Sequence, residues 1–223
     1  MAPIHIELSY IEDQAGHRVG HHVYSAFVVH ASLATLKDQE LLESLFGANS
    51  EDGQKIGFQP ERLPIEVLKQ VGVTASDDDA VRYSTIYLPL MNRVALHGTA
   101  QIERVETQFS VTIAWQFDPR FTFDNRHELP AELKKFANYY VKIERDDLGR
   151  EFESQPVAYS GCGGYLSVSE TGQQPNQLVI ESRMLIYEPP EWFAGSNFLR
   201  SKFPTVLQEG AQSFRRRVTK VAE

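Results

Sequence analysis

Apolar and polar positions alternate along residues 4–11 and again along 22–30, where β-branched and aromatic residues mark a strand. The first stretch reads as a strand or an extended arm, and the polar segment 12–20, with two glycines, as a turn. After Ser32, a natural N-cap, the spacing becomes helical. Leu33, Leu36, Leu41, Leu42, Leu45 and Phe46 share one face, and Gly47 stands at C′. Residues 49–59 read as a polar loop. Pro64 near the first helical position, then Ile65, Val67, Leu68 and a terminating Gly72, predict a second short helix.

From Val81 the pattern returns to sheet. Residues 83–90 form one strand, and 93–105 alternate with Val94, Leu96, Ala100 and Ile102 on one face. Ala95, His97, Thr99, Gln101 and Glu103 take the other face, which reads as the outward one. Phe109, Val111, Ile113, Trp115 and Phe117 line one side of the next strand. Pro130 opens a short helix to Phe136, and 139–154 read as a hairpin about Gly149. A glycine-broken strand region at 157–169 and a last strand at 177–187 complete the sheet. Beyond Glu188-Pro-Pro-Glu-Trp192, the residues Leu199, Phe203, Val206, Leu207, Gly210, Phe214, Val218 and Val221 recur at three and four. This is one apolar stripe over about six turns of ~3.6 residues. Pro204 either kinks that helix or begins its main segment. With no repeat and no linker-like shift in composition, one domain over 1–223 is the simplest account, with 1–20 a possible extra strand or arm.

Read in order, the elements are a strand, two short helices, a run of antiparallel strands and a long amphipathic helix. Segments 24–47, 63–72 and 177–221, the last turning through Pro-Pro-x-Trp into the helix, carry a resemblance. The chain resembles the helix-grip fold of the START-related lipid-transfer and polyketide-cyclase superfamily. That resemblance implies an α+β fold, with a curved antiparallel sheet wrapped around the C-terminal helix and an apolar cavity between them. The cavity is expected between strand 109–117, strand 177–187 and the helix. Ile113 and Trp115 would line it from the first strand and Ile180 and Met184 from the second. Leu207, Gly210 and Phe214 would line it from the helix, with Gly210 leaving room at mid-stripe.

Composition narrows the function classes. Of 223 residues, 42% are apolar and 11% aromatic, enough for a sizeable core. The net charge of −8 argues against a nucleic-acid partner, which would need a surplus of Lys and Arg. Cys162 is the single cysteine, so an intramolecular disulfide is ruled out. No signal-peptide pattern and no apolar run of about 18 residues appears, which makes the cytoplasm the default expectation and integral membrane association an unsupported one.

No constellation of residues amounts to an active site. His17, His21 and His22 are badly spaced for chelation on an extended chain and read as solvent-exposed, so no metal is expected. His97 would serve as an acid or base only if its strand face met a cavity. Ser160-Gly-Cys-Gly-Gly164 lacks the Lys-Ser/Thr of a phosphate loop and the elbow of a serine hydrolase, and fits a bulge or bend. Asp77-Asp78-Asp79 lacks the glycine and distal Glu of a calcium loop. Arg215, Arg216 and Arg217 read as a solvated helix face. Nothing calls for a cofactor. The leading reading is a protein that binds or transfers a hydrophobic small molecule. The alternatives are a cyclase or dehydratase using the same cavity, with His97 the first residue to test, and a ligand-free interaction module.

Overall fold

Alternation at the N-terminus produces a paired strand. In the computed structural model, which describes residues 3–37, 48–49, 55–74, 81–124, 129–172, 174, 176–193 and 197–222, β1 (Ile4–Glu12) lies antiparallel to β2 (Arg18–His30). The strands that follow are β3 (Ala48–Asn49), β4 (Lys55–Arg62), β5 (Val81–Leu90), β6 (Val94–Glu106) and β7 (Ser110–Phe117). After them come β8 (Tyr139–Arg145), β9 (Glu151–Glu153), β10 (Val157–Ala158), β11 (Cys162–Glu170) and β12 (Gln177–Tyr187). The helices are α1 (Leu33–Leu36), α2 (Ile65–Gln70), α3 (Ala131–Lys134) and α4 (Phe198–Ala222). This is the expected class: antiparallel sheet with a long C-terminal helix. The expected continuation of α1 through Phe46 and the Asp77–Asp79 loop lie outside the described residues.

By its contacts the chain divides into two units. The first comprises Met1–Phe46, Arg104–Ala114 and Cys162–Glu223, the second Gly47–Glu103 and Trp115–Gly161. In the first, the strands run in the order β1, β2, β12, β11 and the start of β7. Its core joins Phe27, Val29, Val111, Val168, Leu178 and Ile180 of the strands to Leu33 and Leu36 of α1 and to Ala211, Phe214 and Val218 of α4. Ser32 caps α1 as expected, its hydroxyl accepting from the Thr35 amide at 3.1 Å. Pro204 lies within α4, which continues through it. Arg215, expected in solvent, instead lays its guanidinium 5.4 Å from the Phe27 ring centroid and donates from Nε to the Val28 carbonyl at 3.0 Å. β1 begins at Ile4, opposite Phe27, so Val28 lies just past the last β2 residue paired with β1, and the arginine takes its carbonyl. Burial lowers the Arg215 pKa accordingly.

Two glycines of this unit are fixed by close approach of the neighbouring strand. A Cβ on Gly20 would stand 2.3 Å from the Ile186 carbonyl oxygen, and one on Gly164 2.2 Å from that of Arg183. Gly164 sits in β11 in unbroken register with β12, so the bulge or bend expected of Ser160–Gly164 is not what its glycine serves; the close approach of the Arg183 carbonyl is.

The second unit holds β3 to β6, β8 to β10, α2 and α3. Leu63, Val67, Leu68, Phe121, Leu133 and Phe136 form its core. Residues 55–59, expected in the polar loop, instead begin β4, which pairs with β5, so pairing overrode local polarity there. Strand β6 also departs from expectation. Its supposed outward face is covered, with Ala95 and Thr99 at 1% and 0% exposure. The cause is Asn138. Its side-chain oxygen accepts from the Thr99 amide at 2.7 Å, and its Nδ2 donates to the Asp118 carbonyl at 2.6 Å and to Thr122 Oγ1 at 3.2 Å. The Thr99 hydroxyl donates to the Phe136 carbonyl at 2.8 Å. On that same face His97 lies half-buried between Tyr87 and Tyr139, ring centroids 4.8 and 4.7 Å away, a cross-strand aromatic row and not an ordinary surface histidine.

Candidate functional site

Register decides what the helix-facing side of the first unit presents. Opposed residues on antiparallel strands share a face, so four parallel rows can be read across β1, β2, β12 and β11. The first row is Ile4, Phe27, Ile180 and Val168. It belongs to the core built with Ala211 and Phe214, which identifies the face. The second row is Ile6, Ser25, Ser182 and Leu166, the third Leu8, Val23, Met184 and Gly164, and the fourth Tyr10, His21, Ile186 and Cys162.

Burial along these rows is uneven. Phe27, Ile180 and Val168 in the first row and His21, Ile186 and Cys162 in the fourth are buried. Between them, Val23 and Ser25 of β2 are buried, but Ile6, Ser182, Leu166, Leu8, Met184 and Gly164 are only half-buried, as are Ile113 on β7 and Leu207 on α4. A band with large apolar side chains, half-buried except at β2, thus runs between two rows that are buried except at β1. α4 packs against β1 and β2, and α1 against β11. The band's middle is small and polar: Ser25 is 5% exposed, and its hydroxyl lies 3.3 Å from that of Ser182.

The residues expected to line a cavity divide on this geometry. Ile113, Met184 and Leu207 belong to the band, while Ile180 and Phe214 stand at its closed first-row end. Trp115, next on the β7 face after Ile113, belongs to the second unit, where its ring lies 6.4 Å from Phe117. Gly210 is exposed, with nothing within 4 Å of a Cβ placed on it. Leu199, Phe203, Ala211, Phe214 and Val218 are the buried positions of the helix. Four-residue steps from Leu199 arrive at 203, 207 and 211, so Ala211 takes the place expected of Gly210. A separate open cleft of about 320 Å³ is lined by Pro3, Ile4, His5, Ala26, Phe27, Val28 and Val179.

The fourth row carries the chemistry that the sequence reading missed. His21, expected in solvent, is 1% exposed and bonds through Nε2 to Oε2 of Glu188, itself 6% exposed. Arg18 adds a contact to the other carboxylate oxygen at 3.4 Å. Tyr10 lies against the His21 ring, its hydroxyl donates to Asn197 at 2.9 Å, and Arg200 and Arg18 hold its pKa below the usual phenol value. Neither the spacing of the histidines nor the Glu-Pro-Pro corner announces this pair, which joins residues 167 positions apart. His17 is exposed and His22 half-buried on the opposite face, so the three histidines do not converge. Among the described residues, no group of three His, Cys, Asp or Glu side chains comes together. Cys162 is enclosed, and burial pushes its thiol up to about 12, which leaves it protonated and a poor nucleophile at neutral pH. Ser25 and Ser182 did leave a mark in the sequence, since each interrupts the apolar members of its strand: Val23-x-Ser-x-Phe27 and Ile180-x-Ser-x-Met184.

An antiparallel sheet, few and short helices within it and a long C-terminal helix packed on its first strands define the helix-grip class. Within that class the chain has the fold of the START domains. It superposes on human StAR-related lipid transfer protein 5 with a TM-score of 0.52 at 10% identity, over 100% of this chain and 88% of that one. It also matches the lipid transfer and protein localization domain of human StarD13, at TM-score 0.45 and 7% identity over 98% of this chain and 84% of that one. A conserved protein from Geobacillus kaustophilus matches at 0.42 and 6% identity, over 91% and 97%. No protein-family model matches the chain, and no curated protein sequence does.

Proposed function

We propose that this protein binds a hydrophobic small molecule on the helix-facing side of its first unit, in the band between the two buried rows. The observation that carries the reading is the uneven burial itself. A sheet face closed by a helix would ordinarily bury its central residues most deeply; here Val23 and Ser25 of β2 are buried, yet Leu166, Met184, Ile113 and Leu207 beside them are half-buried, while Ile180 and Ile186 on either side of Met184 along β12 are closed. Large apolar side chains left accessible beneath a helix make the kind of lining that apolar ligands use. The fold shared with a lipid transfer protein supports the same reading without deciding it. Binding or transfer is favoured over catalysis because the band presents methyl groups, a thioether and two hydroxyls. The acid–base pair His21–Glu188 is enclosed in the next row and engaged with itself.

No described helix is long and apolar enough to cross a membrane, and the ligand would be taken up from water or from a membrane surface. Native mass spectrometry of freshly purified protein, together with titration by the neutral dye Nile red, tests the reading. A co-purified apolar compound, or saturable dye binding weakened by Met184→Trp, is the expected result. Absence of both would overturn it.

A further inference from the structure

We infer that the ligand of this band carries a neutral hydrogen-bonding group, a hydroxyl or a carbonyl, and that Ser25 and Ser182 anchor it; the inference rests on the binding site proposed above. The two serines face each other across β2 and β12 at the centre of the helix-facing side. Ile6 and Leu166 flank them in their own row, and the rows on either side place Phe27 and Ile180, and Val23 and Met184, next to them. A valine or alanine at either position would continue the apolar surface, so two serines here need a reason.

The hydrogen-bonding of the pair is incomplete. Each hydroxyl brings one donor and two acceptor sites. The separation of 3.3 Å is long for a bond between hydroxyls, whose usual distance is about 2.7–2.8 Å, and such a bond engages only one of the two protons. Among the described residues neither hydroxyl has another hydrogen-bond partner. Ser25 is 5% exposed, so the free capacity is held in apolar surroundings, where an unmet donor is costly. A ligand oxygen seated between the two would accept from one hydroxyl or both, and a ligand hydroxyl could donate as well.

The charges on the pair's own strands favour a neutral group over an ionic one. Tyr24, Glu181 and Arg183 are adjacent in sequence to the serines but point to the other face of the sheet. There the Tyr24 hydroxyl donates to Glu181 at 2.8 Å, and the Arg183 guanidinium lies 5.2 Å from the Tyr24 ring. On the helix side the Arg215 guanidinium lies against the neighbouring Phe27 ring with its Nε already engaged by the Val28 carbonyl, so a carboxylate at the pair would exchange its hydration mainly for two hydroxyls, a loss that a hydroxyl or carbonyl would not suffer. The ligand class is therefore an apolar body with one uncharged polar group.

The experiment measures displacement of Nile red from the full chain by 1-decanol, 2-decanone, decane and decanoate. It is run on the wild type and on Ser25→Ala, Ser182→Ala and the double variant, each checked by thermal melt. The alcohol and the ketone should displace the dye at concentrations about tenfold below those of decane and decanoate, and the double variant should lose that preference while still binding dye. Equal displacement by decane, or a preference unchanged in the folded alanine variants, overturns the anchor and leaves the binding site standing. A melting temperature lowered by the alanines without any change of preference gives the serines a structural role only and also overturns it. If Nile red does not bind the wild type at all, the site itself fails.

Discussion

Asn138 in the second unit and Ser25 in the first are both buried polar side chains among apolar neighbours, at 1% and 5% exposure. Asn138 spends all it has. Its oxygen and both side-chain protons are engaged, its amide donates to the Phe121 carbonyl at 2.8 Å, and its carbonyl accepts from the Tyr159 amide at 3.2 Å. Gly98 beside it makes room, since a Cβ there would meet the Asn138 oxygen at 2.6 Å. Ser25 has one long bond to another serine. A polar residue whose every group is met holds the fold together, because removing it orphans several partners at once. One whose capacity is mostly unspent contributes little to stability, and its hydroxyl remains available to a ligand.

The His21–Glu188 pair belongs with Asn138 in this contrast although it lies in the same unit as the serines, and it should give the largest effect. Glu188→Ala leaves His21 enclosed and Arg18 without its carboxylate. Loss of one partner of a buried pair costs about 3–5 kcal/mol, to be read as a fall in the urea midpoint. A midpoint within experimental error of the wild type would mean that the pair holds nothing and is free for another task.

Asn138→Ala and Ser25→Ala test the contrast directly. The first orphans the Thr99 amide and the Asp118 carbonyl, and should cost about 2–4 kcal/mol. The second removes one weak bond, and should cost less than about 1 kcal/mol. Similar losses in urea titrations of the two variants would break the comparison, and with it the reason for assigning the serines to a ligand.

Two glycines expected to matter in opposite ways sharpen it at the smallest scale. Gly164→Ala drives a Cβ to 2.2 Å from the Arg183 carbonyl oxygen, and should lower stability by about 1–3 kcal/mol. Gly210→Ala meets nothing, on the exposed side of a helix, and should raise it by about 1 kcal/mol through helix propensity alone. Paired thermal melts check both signs. A destabilised Gly210→Ala would return that residue to the sheet-facing side where the helical spacing first placed it.

The elements themselves were legible in the chain wherever their own periodicity was strong. β2, β12 and α4 follow from alternation or from three-and-four spacing, the Ser32 cap and the Gly149 turn from local chemistry, and the helix-grip order from reading the elements in sequence. What a segment does within its own few residues is decided by sterics and solvation that its neighbours in sequence already supply. The rest waited for pairing. The first part of β4, residues 55–59, reads as the end of a polar loop, and only an adjacent strand makes it sheet. Thr99 reads as outward because Asn138, far along the chain, is what covers it. Gly210 and Ala211 are adjacent, and a helix turns by ~100° per residue, so the apolar stripe alone could not say which of them faces the sheet. His21 and Glu188 could not have been joined from the sequence, and neither could Ser25 and Ser182. Register between β2 and β12 sets both encounters, and register is fixed by the sum of contacts along two strands and not by any one residue in them.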